Sequence, residues 1–202
     1  FNTLHIIHAI NIHLNSKKFT AQVSALQNDG KPVIFYCNGH SCYKSYKAAK
    51  KARRAKITNI FAYDSGIFDW AKAHPEKAVL LGSTPVDTSR LLSKDDLKKY
   101  LLKPEEFTAN IDDNTVILDI REPSQRGLIE LFPYRQDNIS MDEQKKLSKF
   151  LKGVKKSGKS LLVYDEAGKQ VRWLQYYLED NGIADYFFMA GGVKQFFKSL
   201  TN

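Results

Sequence analysis

The stretch "VIFYCNGHSCYKSYKAAKKA", Val33 to Ala52, sets the fold class and holds both cysteines of the chain. "KPVIFYC" is a short apolar run entered after Asp29-Gly30, as a buried strand would be. Ser45 to Ala55 has helical spacing, with Ser45, Ala48, Ala49, Ala52 and Ala55 on one face, all small enough for close packing on a sheet. Downstream, "TNIFAY" repeats the strand pattern, "DSG" turns, and "IFDWAKAH" supplies one or two helical turns. Strand, helix, strand, helix is the alternation of a parallel α/β sheet.

Farther along, "PEKAVLLGSTPVDT" (75–88) breaks the pattern with two prolines and a glycine and reads as a linker. A second unit opens at "SKDDLKKYLL", where Ser93 can cap a helix and Asp96 takes the acidic position of a capping box. "NTVILDIRE" reads as a buried strand, and Lys159 to Leu200 repeat strand, glycine loop, helix, strand, glycine turn and helix. The expected domains are 1–82 and 83–202. Cys37 after "VIFY" aligns with Asp165 after "LLVY" at an offset of 128, and Trp70 aligns with Phe196 at an offset of 126. The first copy is therefore two residues longer in between, and the loop after the strand is the natural place for the surplus. Trp70, Trp173 and Phe196 read as packing residues.

A loop from the carboxyl end of a parallel strand to a helix lies where open α/β sheets bind ligands. The helix start offers unpaired N–H groups and partial positive charge to an anion. Asn38 and Gly39 tolerate left-handed backbone, which lets successive amides converge. A thiol there loses its proton more readily. The predicted site is a thiolate cradle: Cys37 as nucleophile, with Asn38, Gly39, His40, Ser41, Cys42, Tyr43 and Lys44 around the incoming anion. The plain alternative is a small buried apolar residue at a strand end.

The 202-residue chain is 43% hydrophobic, enough for one large domain or two small ones, and has no apolar run of membrane-spanning length. Its formal charge of +9 comes mostly from lysines spread over helices, without a nucleic-acid-binding signature. Nucleic acid and membrane insertion are accordingly not expected. Two cysteines make no disulfide framework and, without histidines at ligand spacing, no zinc site; neither a metal nor another cofactor is expected.

These residues resemble the rhodanese (thiosulfate sulfurtransferase) family, in tandem. "HIIHAINI", from His5, is similar to a family segment that usually has glycine where His8 stands. "VIFYC" with its loop resembles the active-site strand, and "SGIFDW" the closing motif; "VILDIREP" and "AGGVKQF" resemble the opening and closing motifs of a second copy. The resemblance implies two α/β domains, each a parallel sheet with helices on both faces. It implies double displacement through a Cys37 persulfide, from thiosulfate or another persulfide or polysulfide donor to a thiol or cyanide.

Three departures from the family pattern matter. The first copy lacks the opening strand, so about 30 to 40 further residues are expected before Phe1. In the second copy Asp165 replaces the nucleophile, and a carboxylate cannot carry sulfane sulfur, so that copy is expected to be silent. The active loop is long, with Lys44 in place of an arginine, so bidentate capture of an oxyanion is lost. Cys42 either resolves the Cys37 persulfide to a disulfide or lines the loop. His40 either assists the sulfur or is simply exposed. A carrier or protein-interaction role is the main alternative to turnover. A phosphatase or arsenate reductase ranks lower, because the loop has no arginine clamp. Likeness to exported bacterial rhodaneses points to the periplasm or envelope. Oligomeric state is left open.

Overall fold

The structure is a computed structural model that describes all residues except 28, 29, 41, 128 and 202. The expected strand entry at Asp29 thus lies partly outside the described residues. The chain divides into two compact units, Phe1–Leu91 and Leu92–Asn202. Both are α/β, with parallel strands and flanking helices, as the alternation predicts.

The first unit contains β1 (Leu4–Ile6), α1 (Phe19–Ala25), β2 (Val33–Tyr36), α2 (Lys44–Arg54), β3 (Ile60–Tyr63), α3 (Gly66–Ala73) and β4 (Ala78–Leu80). Strands β2 and β3 pair in parallel, Val33 with Ile60 through Tyr36 with Tyr63. One face of this pair packs on α1 and α2 through Phe19, Val23, Ala48, Ala52 and Ile60. The small residues of α2 do bring it close, as Ser45, Ala48 and Ala52 are buried. Ala55 is not on that face: it follows the last helical turn and is exposed. On the opposite side Ile34 and Phe61 stay exposed, at 57% and 54%.

The segment 75–88 is not the free linker its prolines and glycine suggest. Pro75–Lys77 form a 3₁₀ turn, and Ala78–Leu80 pair antiparallel with Leu4–Ile6. The Val86 amide donates to the Pro75 carbonyl at 2.9 Å and its side chain is buried. These bonds hold residues past 82 in the first unit, so the boundary falls at 91/92 rather than 82/83. Ala78, Val79 and Leu80 carried the strand signal that the flanking prolines obscured.

The second unit comprises α4 (Lys94–Lys98), β5 (Leu101–Leu102), α5 (Pro104–Ala109), β6 (Thr115–Asp119), α6 (Pro123–Arg126), β7 (Gln136–Asn138), α7 (Gln144–Ser157), β8 (Ser160–Tyr164), α8 (Val171–Asp180), β9 (Tyr186–Met189) and α9 (Gly192–Ser199). The capping box at α4 is present: the Asp96 amide donates to Ser93 Oγ at 3.0 Å and the Ser93 amide to Asp96 Oδ2 at 2.9 Å. The five strands form a parallel sheet in the order β5-β9-β8-β6-β7. Alternate strand residues feed two cores. Leu118, Leu161, Val163 and Phe188 pack against α7 and α8, while Ile117, Leu162, Tyr164 and Met189 pack against Phe107 and Val193 of α5 and α9. Each such buried apolar side chain contributes about 1.5 to 3 kcal/mol of transfer free energy.

The two units share a frame. Strand pairing of Val33 with Ile60 has its counterpart in Leu161 with Tyr186, which reproduces the offsets of 128 and 126. The expected place of the surplus is half right: one residue lies in the loop that begins at Cys37, which runs 37–43 against 165–170, and the other lengthens α2 by one residue over α8. The three aromatics expected as packing residues do pack. Trp70 sits edge-on to Tyr63, Phe196 against Phe132, and Trp173 stacks on Tyr176.

Candidate active site

Cys37 is the first residue after β2 and Asp64 the first after β3, and the last residues of those strands, Tyr36 and Tyr63, are partners. The two loops therefore leave the same end of the sheet side by side, the end at which open α/β sheets place their ligands. Cys37 is partly buried, and its carbonyl accepts from the Ile67 amide at 2.9 Å.

Gly66 makes that approach possible. It has φ +74°, and a Cβ there would lie 2.2 Å from the Gly39 nitrogen and 2.6 Å from the Asn38 carbonyl carbon. The loop backbone thus rests directly on the start of α3, where only glycine fits. Gly39 takes φ +145°, as its freedom allows, but Asn38 is not left-handed. Left-handed backbone instead occurs at His8, φ +62°, where the family segment usually has glycine.

The structure joins Cys37 and Cys42 in a disulfide with Cα atoms 6.1 Å apart, inside the range such a bridge requires. The turn that returns Cys42 to Cys37 is fixed by its amide, which donates to the Gly39 carbonyl at 2.8 Å. The loop, one residue longer than its counterpart in the second unit, places Cys42 within that range.

Ser41 lies outside the described residues. Tyr43 is 68% exposed and its ring tilts against Tyr46. Lys44 is not in the loop: it is the first residue of α2, and exposed.

His40 is exposed but engaged. Its Nδ1 lies 2.7 Å from Asp64 Oδ2 and its Nε2 lies 3.5 Å from Asp69 Oδ2, while Tyr46 donates its hydroxyl to Asp64 Oδ1 at 2.6 Å. The hydrogen bond to Asp64 and the charges of Asp64 and Asp69 raise the His40 pKa above the usual histidine value. The hydrogen bonds from Tyr46 and His40 in turn lower that of Asp64. Tyr46, Asp64 and Asp69 were not picked out from the sequence. Their signal was positional, because Asp64 follows β3 as Cys37 follows the neighbouring β2.

The corresponding loop of the second unit is closed by a carboxylate. Asp165 is 1% exposed and follows β8 as Cys37 follows β2, and its carbonyl accepts from the Val193 amide at 2.9 Å, as that of Cys37 does from Ile67. Gly192 repeats Gly66: a Cβ on it would lie 2.2 Å from the Asp165 carbonyl oxygen. The side chain then turns into its own loop. Oδ1 accepts from the amides of Ala167, at 2.9 Å, and Gly168; Oδ2 accepts from Gln170 and, at 3.2 Å, Val171. Four backbone N–H groups converge on one negative charge at the mouth of α8.

Behind this loop Arg121, 1% exposed, forks onto the fully buried Asp119 at 2.8 to 3.1 Å and lies over the Tyr164 ring at 5.5 Å. Among the described residues no group of three His, Cys, Asp or Glu side chains could hold a metal ion, and no helix is long and apolar enough to cross a membrane.

Residues 1–73 match the family model of the rhodanese-like domain. No curated protein matches the chain. Among solved structures, a thiosulfate sulfurtransferase from Pseudomonas aeruginosa is similar at 17% identity and a TM-score of 0.47, covering 98% of this chain and 37% of that one. A rhodanese-like domain protein from Staphylococcus aureus is similar at 20% identity and a TM-score of 0.40, covering 48% and 89%. A protein of unknown function from Rhodopseudomonas palustris, described as a possible tyrosine phosphatase, is similar at 14% identity and a TM-score of 0.43, covering 52% and 86%. At these scores the neighbours carry no weight on the chemistry of the loop.

Proposed function

We propose that the protein is a tandem rhodanese-like sulfurtransferase in which the first unit takes up sulfane sulfur on Cys37 and the second is silent. The observation that carries this reading is the loop at Asp165. In the frame shared by the two units, the residue after the strand has its negative charge surrounded by loop amides. Cys37 occupies that position in the first unit. Once the disulfide is reduced, its thiolate has the same helix mouth and the same glycine-supported loop.

In the proposed reaction the Cys37 thiolate attacks the outer sulfur of thiosulfate, the S–S bond of the donor breaks, and sulfite leaves with the bonding pair. A persulfide or polysulfide donor reacts in the same way, with a thiolate or shorter polysulfide as leaving group. The Cys37 persulfide keeps a negative charge within reach of the loop amides, which stabilise it without reorganisation. A thiol or cyanide then removes the outer sulfur. Asp165 forms no such bond, so the second unit contributes structure rather than turnover.

A phosphatase reading is weaker, because residues 37–44 include no arginine and Lys44 stands exposed on α2. The loop disulfide suits an oxidising compartment, and the bacterial periplasm or envelope is the proposed location. The decisive test uses Cys42→Ser protein, reduced and mixed with excess thiosulfate or polysulfide, followed by intact mass spectrometry. A gain of one sulfur atom that disappears when Cys37→Ser is added supports the reading. Absence of an adduct with either donor overturns it.

A further inference from the structure

We infer that the Cys37 loop is a dithiol device that reduces sulfane sulfur to sulfide, with Cys42 as the resolving thiol and an external dithiol as the reductant. The inference rests on the sulfur-accepting role proposed for Cys37 and adds the fate of that sulfur.

Three observations carry it. First, the structure bonds the two sulfur atoms within one loop, five positions apart in sequence. Second, the fold is built to return Cys42 to Cys37: its amide is held by the Gly39 carbonyl, Gly39 has the positive φ the turn needs, and Gly66 supports the Asn38–Gly39 backbone from below. Third, the second unit closes the corresponding loop with one residue fewer, 165–170 against 37–43, and has no cysteine in it, so the longer loop is the one that carries the second thiol.

The chemistry follows from thiol exchange. After a donor has loaded Cys37, the Cys42 thiolate attacks Cys37 Sγ, the inner sulfur of the persulfide. The Sγ–Sγ bond forms and the bond to the outer sulfur breaks. That sulfur leaves with the electron pair, takes up the proton released by Cys42 and departs as HS⁻. Two thiols have been oxidised to a disulfide, and one sulfane sulfur has been reduced to sulfide. A dithiol reductant then exchanges with the bridge, leaving both loop cysteines as thiols and becoming a disulfide itself. An attacking group held in the loop has an effective concentration no free acceptor thiol reaches, so resolution outpaces transfer. The substrate class is accordingly a sulfane-sulfur donor plus a dithiol, rather than a donor plus cyanide.

The test is an anaerobic single turnover of fully reduced full-length protein with thiosulfate or a polysulfide, without added thiol, reading released sulfide and the protein mass. Wild type is expected to release about one equivalent of sulfide and to lose the mass of two hydrogen atoms, with both thiols unavailable to alkylation. Cys42→Ser is expected to keep one extra sulfur and to release at least about tenfold less sulfide. Wild type that retains the extra sulfur and both pathways of alkylation, or a Cys42→Ser variant that releases as much sulfide as wild type, overturns the inference while leaving sulfur uptake standing. A Cys42→Ser variant that gains no sulfur overturns instead the role of Cys37 itself. The thiol count on wild type needs no variant, so misfolding of Cys42→Ser does not blunt the test.

Discussion

The loops that follow β2 and β8 begin alike and end differently. Each starts at the carboxyl end of a parallel strand, each has its first carbonyl bound by the second amide of the helix that follows the next strand, and each lies on a glycine too close for any side chain. At the centre of one stands a cysteine bridged to a neighbour five positions on; at the centre of the other stands a carboxylate held by four amides. The difference separates scaffold from chemistry. The glycines and the strand register are common to both loops, and on the proposed reading the residue after the strand decides whether the charge placed there is permanent or reactive.

The glycines should be the most costly to change. Ala at Gly66 or Gly192 puts a methyl group 2.2 Å from backbone atoms, at a positive φ in both cases. Each substitution is expected to cost about 3 kcal/mol or more, read by urea unfolding. If Gly66→Ala is tolerated and Gly192→Ala is not, the shared frame is less equal than the geometry indicates. A smaller effect is expected at the charge itself. Asp165→Asn keeps the shape but turns an NH₂ toward amide donors, which should lower the stability of the second unit by about 2 to 3 kcal/mol. An unchanged unfolding midpoint would mean that the four amides do not depend on the carboxylate charge.

The smallest effect concerns His40, which has no counterpart in the second loop. Its pKa is raised by Asp64, so the charged pairing is complete below about pH 6.5 and is lost as pH rises through the higher folded value. The folded-state midpoint, followed by NMR of the imidazole, should lie above the model-peptide value and fall toward it in Asp64→Asn. A midpoint that does not respond to Asp64→Asn would remove Asp64 as the cause.

Period and punctuation were enough to read the strands at Val33–Tyr36 and Ser160–Tyr164, the helices after them and the offset between the two copies. Packing requirements alone write these signals into the chain. The strand Ala78–Leu80 was hidden because three residues are too few for a period and prolines flank them. The bridge between Cys37 and Cys42 was weighed only as an open alternative, since closure depends on the Gly39 turn and on the support of Gly66, distant in sequence. The His40 cluster was illegible for a similar reason: Asp64 belongs to the loop after β3 and Asp69 to the first turn of α3, and only strand pairing brings them to the histidine. Asp165 was read as the loss of a nucleophile, when its side chain is also the ligand of its own loop.

That last feature has a consequence in the language of linkage. A solute that binds only the folded protein stabilises it according to its concentration, and dilution removes the benefit. Asp165 is such a ligand tethered by its own backbone, 1% exposed and present at a concentration no dilution alters. Oxyanions added to the solvent must compete with an occupant that never diffuses away. The Asp165 loop is therefore expected to take up no added oxyanion, whatever its concentration in the solvent.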